Sequence, residues 1–288
     1  MHKRFYLFFG ILTLLAPLGA GQLFWLVETE SSSVYLLGSL HAGIEDFYPL
    51  PQVITDAYAT ADYLVVEADV SEAKQMELAG KIAMMAMYQG DETLSDHLSE
   101  ETIARADKRL RQYGLNAEMM AGMKPWMVGM TIISLEMQKL GFDANLGIDM
   151  HFLERATRDS TQIVEIEGLE YQINLFNDFD DEMQEKFLLD ILDNQTEALR
   201  MLETMATAWQ DGDEAKLEAL ILEESNDPEM SELYETLIYQ RNDEMTAKIA
   251  KYLESGETWF VIVGAGHLVG DRGVVRLLSD GGYDVRKL

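Results

Sequence analysis

The feature that most constrains this chain is an apolar β-type run that ends in a Gly-x-x-His corner. Residues Ser33–His41 read SVYLLGSLH, and the device recurs near the other end as WFVIVGAGH, Trp259–His267. Each run reads as an apolar strand. Glycine is expected to let the backbone turn tightly where each strand stops, carrying the histidine three residues on past the strand's carboxyl end. In open α/β sheets that edge is where ligands bind. Two such corners predict one shared site holding His41 and His267.

The flanking sequence supplies the rest of a sheet. Residues 23–28 and 33–37 read as an antiparallel hairpin. Pro49-Leu50-Pro51 opens a helix over 52–60. Residues 63–67 form a short apolar strand ending in Glu67, followed by a helix over 71–88. That succession predicts 33–37 and 63–67 as a parallel pair joined by a right-handed crossover. Residues 91–255 read as mostly helical. Helices are expected over 99–113, capped by Ser99 and stopped by Gly114, over 125–140, 147–158, 215–223 and 233–253, and over 176–207 as one helix or a helical hairpin. A short β-like run covers 162–166, and turns are expected at 209–213 and 226–228. A helix over 270–279 and a strand over 283–287 close the chain. The expected fold is α/β (α+β): two βα-type halves, 22–90 and 256–288, forming a mixed sheet, with a large mostly helical insertion, 91–255, between them in a single domain.

The first residues read separately. His2-Lys3-Arg4, an apolar stretch from Phe5 to Leu15 and the small residues of 16–21 make a secretory signal, cut after Ala20 or Gly21. Left uncut, the segment would be a membrane tether. The protein is therefore expected to be exported, periplasmic or secreted. With no cysteine there is no lipoprotein attachment and no disulfide. The formal net charge of −29 argues against nucleic acid and anionic membrane surfaces as partners. The seventeen methionines fall largely in helices, as at Met84-Met85, Met87 and Met119-Met120. Adaptable core packing is their expected role, a mobile cap over a groove the alternative.

Beyond the signal, the histidines are His41, His97, His151 and His267. Glu67 ends a strand at the level of the two corners. Two imidazoles with one or two carboxylates suit a divalent ion with open positions, and equally a metal-free acid–base set. Glu165 and Glu167 flank Ile166 and share one side of a strand, with Glu167 expected to reach the site. Asp149 reads as a first-turn acid meeting a helix dipole. His151 reads as structural and His97 as a surface or satisfied histidine. Arg241 and Asn242 lie in an acid-rich helix, either as surface polar residues or holding a substrate carboxylate or an oxyanion. No nucleophile elbow, P-loop, dinucleotide fingerprint or HExxH occurs, and there is no thiol nucleophile.

Taken in order, SVYLLGSLH, YLVVEADV, NLGIDMHFLERA, VEIEGLEYQ, YQRNDEM and VIVGAGHLVGDRGVVRLLSDGGYDV resemble the TraB/GumN family, which includes the Tiki proteins that cleave and inactivate Wnt. The resemblance spans residues 23–288. It implies an α/β fold with two related halves and a site built from the two GxxH histidines with glutamate, linked in Tiki proteins to a metalloprotease activity supported by manganese or cobalt. His41 and His267 match the two histidines, Glu67 the glutamate, Arg241-Asn242 a late polar pair, and Glu167 lies in the Glu-Gly segment. The function so implied is a metal-dependent hydrolase acting on a peptide or protein. His41, Glu67 and His267 would hold manganese or cobalt, with zinc as the alternative. Glu167 would serve as general base, and Arg241 or Asn242 would steady an oxyanion. Two other readings of the pocket are a non-catalytic binder of haem, peptide or small ligand, and a metal-free esterase with His41 as base.

Overall fold

A computed structural model describes residues 22–193, 195–225 and 231–288. The expected signal, 1–21, and the expected turn at 226–228 lie outside the described residues. In chain order the elements are β1 (Phe24–Glu28), β2 (Ser33–Ser39), α1 (Gln52–Thr60), β3 (Tyr63–Val66), α2 (Glu72–Ala86), α3 (Leu94–His97), α4 (Glu100–Leu110), α5 (Pro125–Lys139), α6 (Ile148–Asp159) and β4 (Gln162–Glu165). There follow α7 (Leu169–Asn177), α8 (Asp181–Asp193), α9 (Gln195–Asp211), α10 (Glu214–Ser225), α11 (Ser231–Tyr234), α12 (Gln240–Tyr252), β5 (Thr258–Gly264), α13 (Ala265–Leu268), α14 (Val274–Asp280) and β6 (Val285–Lys287).

The strands form one mixed sheet in the order β4-β3-β5-β2-β1-β6. The β1–β2 hairpin is antiparallel as expected. The two Gly-x-x-His strands are direct parallel neighbours, in register from Ser33↔Thr258 to Ser39↔Gly264. The predicted direct pairing of β2 with β3 does not occur: β5 lies between them and is parallel to both. The reason is burial. Trp259 through Val263 are all buried, so β5 needs a covered face on each side and a strand on each edge. The two halves of the chain therefore interleave, and all four parallel strands, β4, β3, β5 and β2, end at one edge.

Helices cover both faces. Phe260 is fully buried. Tyr58 of α1 meets its ring edge-on at 5.6 Å, and Phe152 of α6 lies at 4.9 Å. Its neighbour Trp259 points the other way, as alternation requires, and stacks at 4.2 Å on Tyr252 of α12. Burying an aromatic of this kind contributes about 1.5–3 kcal/mol. These contacts bring the amino ends of α6 and α12 toward the carboxyl edge of the sheet. A second apolar cluster, including Leu110, Val128, Ile132 and Leu188, joins α4, α5 and α8 away from the sheet.

Three helical expectations change. Residues 169–177 form α7, which the apolar spacing of 169–176 did not reveal because only Ile166-Glu167-Gly168 separate it from β4. The stretch 176–207 is divided among the end of α7, α8 and α9. The expected turn at 209–213 belongs largely to α9, where Trp209 is buried and its indole N–H donates to the Gly38 carbonyl at 2.7 Å. The methionine reading also changes. Met84 of α2, in which only Ala86 is buried, is 69% exposed, and Met119, in the turn Glu118–Met120, is 62% exposed. Met120 is buried as core. Among the described residues no helix is long and apolar enough to cross a membrane.

Candidate active site

The carboxyl edge gathers the residues that the sequence singled out. The last register pair of β2 and β5 is Ser39↔Gly264. His41 follows Ser39 by two positions, and His267 sits in α13, one helical turn beyond Gly264. Glu67 is the first residue past β3, and Glu167 lies two past β4. Its backbone N–H donates to the Glu67 carbonyl at 3.0 Å, which continues the β3–β4 pairing into the site.

The glycines act by absence of bulk rather than by tight turning. Gly38 lies inside β2, where a side-chain carbon would come to 3.2 Å of the Ala265 Cα. Gly264 faces the centre of the site. A Cβ there would stand 3.3 Å from Glu67 Oε1, 3.5 Å from His267 Cδ2 and 3.8 Å from His41 Nε2. The two histidines and the glutamate thus surround one point.

Each of the three is held by a second residue. The His41 imidazole lies with Nδ1 3.0 Å from Asp149 Oδ2, and Ser39 Oγ donates to Asp149 Oδ1 at 3.1 Å. Asp149 reaches His41 because the Ile148 N–H donates to the Leu40 carbonyl at 3.1 Å, docking the start of α6 under the loop. His267 Nδ1 lies 2.6 Å from Asn242 Oδ1, and the Asn242 amide donates to the Arg272 carbonyl at 2.8 Å, which fixes its orientation. Both rings therefore have Nδ1 occupied by an acceptor and Nε2 available, the arrangement typical of anchored metal-ligating or acid–base histidines.

Glu67 is almost wholly enclosed. Oε1 accepts from the Gly264 N–H at 2.6 Å, and Oε2 accepts from Arg241 Nη2 at 2.7 Å and the Gln172 amide at 2.7 Å. Arg241 also donates to both carboxylate oxygens of Glu167 at 2.8 Å and, through Nη1, to the Leu237 carbonyl at 2.7 Å. That carbonyl belongs to the π-helical turn Glu235–Tyr239 leading into α12, a backbone irregularity that recurs at functional sites. All three nitrogens of the Arg241 guanidinium are engaged within the protein, and its side chain is 9% exposed. Glu165 turns outward and accepts from the Asp69 N–H at 2.9 Å.

Burial by itself would raise the Glu67 carboxyl. His267 when charged, His41, Arg241 and the Gly264 N–H outweigh it and bring its pKa down to about 2. Burial lowers His267 to about 4, so that ring is neutral at physiological pH and the charges holding Glu67 ionised are those of His41 and Arg241. The Asp149 carboxylate, working against desolvation, raises His41 to about 9. The His41 side chain is 66% exposed, so solvent screens part of that pull, while the direction stands.

His41 opens onto two cavities. One, of about 320 Å³, is lined by Glu67, Asp149 and Gln172; the other, of about 670 Å³, lies toward Met137 and Phe142. A larger cavity of about 820 Å³ between α7, α8 and α11 contains none of the site histidines. His97 and His151 are apart from the site. His97 stacks on Tyr88 at 4.2 Å with Nδ1 3.0 Å from Asp181, and His151 packs against Tyr48 and Phe152.

The donor chemistry suits a divalent ion: two anchored imidazoles with free Nε2 and one ionised carboxylate. The spacing is somewhat open. His267 Nε2 and Glu67 Oε1 are 3.9 Å apart, against roughly 3.4 Å for a tetrahedral set with bonds of about 2.1 Å. Among the described residues no three His, Asp or Glu side chains stand close enough together to hold a metal ion as they are placed.

Sequence reasoning missed Asp149 and Gln172 as parts of the site. Asp149 carried a signal in GIDMH, an acid in the first turn of a helix entered through glycine, but nothing local ties it to His41, 108 positions away. Gln172 lies on α7, the helix that was not anticipated.

The TraB/PrgY/gumN family profile matches residues 23–287. The chain is 28% identical over 244 residues to Uncharacterized protein YbaP of Escherichia coli K12, covering 85% of this chain and 87% of that protein, and equally to YbaP of Shigella flexneri. It is 38% identical over 78 residues to the Metalloprotease TIKI homolog of Amphimedon queenslandica, covering 26% of this chain and 15% of that protein. No solved structure matches the chain. With the match running from the first strand to the last and enclosing both Gly-x-x-His corners, this chain belongs to the TraB/PrgY/gumN family.

Proposed function

We propose that the protein is an exported hydrolase that cleaves peptide bonds at the site around Gly264. The observation that carries the reading is the meeting of His41, Glu67 and His267 at one point, each ring anchored through Nδ1 and the carboxylate buried and ionised. The partial similarity to a protein named a metalloprotease supports the peptide as substrate class, and the signal-like pattern of 1–21 supports export. His41, Glu67 and His267 would hold the divalent ion, manganese or cobalt before zinc. Such an ion supplies Lewis acidity toward a carbonyl and a bound water acidic enough to act as nucleophile near neutral pH.

The chain's own residues do the positioning. Asp149 and Asn242 set the tautomers and angles of the two rings. Arg241 and Gln172 clamp Glu67, and Arg241 pairs with Glu167 on the side away from the rings. Arg241 and Asn242 are thus better suited to holding the site's side chains than to meeting an oxyanion, and Glu167 to balancing Arg241 than to acting as base. Mn²⁺ binding, followed by electron paramagnetic resonance on the purified protein, tests the ligand assignment without activity. One tight site, weakened at least about ten-fold in both His41→Ala and His267→Ala, is expected. Unchanged binding in those variants would overturn it.

A further inference from the structure

An apolar groove of about 480 Å³ leads away from the site along α2 and α5. Ala79, Ile82, Ala83, Met87, Met123 and Met127 line it, and no ionised side chain does. That is an exception on a chain of net charge −29. The groove borders the site: Val70 and Gln75 line both it and the cavity of about 320 Å³ that holds His41 and Glu67. On α7, Leu169 faces the groove and Gln172, one turn on, binds Glu67. The Met87↔Met123 bridge ties the residue after α2 to the segment before α5.

We infer that this groove is a subsite for the apolar side chains of a substrate polypeptide, lying next to the bond to be cleaved. The inference rests on the hydrolase reading for the position of the scissile bond, and on the groove itself for the apolar class. Three features commit it to this occupant. The groove shares Val70 and Gln75 with the catalytic cavity, so a chain laid in it lies beside His41 and Glu67. Its volume falls within the range that encloses compact ligands, roughly 300–1,000 Å³. Its methionines are unbranched and polarisable, so they mould to differing aliphatic or aromatic residues rather than select one shape. The exposure of α2 is then the open state of a substrate-bearing surface.

The test is photo-crosslinking and fluorescence binding with a blocked peptide carrying a Leu-Leu pair, one leucine as its diazirine analogue, beside a matched Asp-Asp peptide. Crosslinks are expected within 79–87 and 123–127, with the Asp-Asp peptide binding at least about ten-fold more weakly. Ala83→Glu and Ala79→Glu, both at solvent-open positions, should each weaken the Leu-Leu peptide at least about ten-fold and leave the thermal midpoint unmoved. Equal binding of the two peptides, crosslinks elsewhere, or concentration-dependent dimerisation abolished by Ala83→Glu would overturn the subsite, the last by giving the groove to a second copy. Peptide bound in the groove but never cleaved would sink the hydrolase reading and keep the subsite. Cleavage indifferent to apolar residues and to Ala83→Glu would do the reverse.

Discussion

Replacing Arg241 with methionine tests the buried charge cluster directly. The Glu67 and Glu167 side chains are 3% and 1% exposed, and Arg241 is their shared counter-charge. Methionine fills similar length but leaves two carboxylates enclosed without it. Stranding a buried charge in this way costs about 3–5 kcal/mol, a large part of the roughly 5–15 kcal/mol that holds a domain folded. With a urea dependence of about 2–3 kcal/mol per molar, the midpoint should fall by about 1–2.5 M. The pH dependence should also shift. In the native protein the folded pKa of Glu67, about 2, lies below its unfolded value, so its contribution is present above about pH 4.5 and is lost as pH falls through 2. In Arg241→Met the Glu67 carboxyl loses one of the charges that hold it down while His41 and the Gly264 N–H remain, so its pKa rises from the native position and its contribution to stability is lost at a higher pH than in the native protein. Adding Glu167→Gln removes one stranded charge and should recover part of the loss at pH 7. A midpoint shift below about 0.3 M, or a variant whose acid loss of stability begins at no higher pH than in the native protein, would refute the reasoning.

Gly264→Ala should leave the protein folded, since the nearest atom to the new carbon is a side-chain oxygen at 3.3 Å, but should cut peptide hydrolysis about 100-fold by displacing the converging groups; circular dichroism melts and initial rates separate the two effects. Asp149→Asn, which removes the acceptor charge beside His41 Nδ1, should lower activity or metal affinity about 10–100-fold with a small change in melting temperature. Asn242→Leu leaves His267 Nδ1 without its acceptor and frees the ring to change tautomer. Its ¹⁵N imidazole spectrum should show the loss of the single Nδ1-protonated form present in the native protein.

The fold was legible where burial leaves a periodic trace. The hairpin of β1 and β2, the helix α1 after two prolines, and the two runs ending in Gly38-x-x-His41 and Gly264-x-x-His267 could be read because each is dictated by local pattern. That β5 separates β2 from β3 could not be read, since strand order depends on which run most needs two neighbours, a comparison across the whole chain. The site divided in the same way. His41, Glu67 and His267 stood at strand ends, where sheet geometry assigns a meaning to position. Asp149, and the shared hold of Arg241 on Glu67 and Glu167, depend on how α6 and α12 dock on the sheet, and docking leaves no local mark. Trp209 was read as part of a turn because Gly212 and two acids surround it, whereas its indole is committed to the Gly38 carbonyl.

The most direct test of the account is peptide hydrolysis by the purified protein under chelation and after return of manganese or cobalt, with His41→Ala and His267→Ala alongside. The account predicts cleavage that disappears on chelation, returns with either metal, and falls at least about 100-fold in both variants. Cleavage that persists in chelator, or that survives the loss of either histidine, would contradict it.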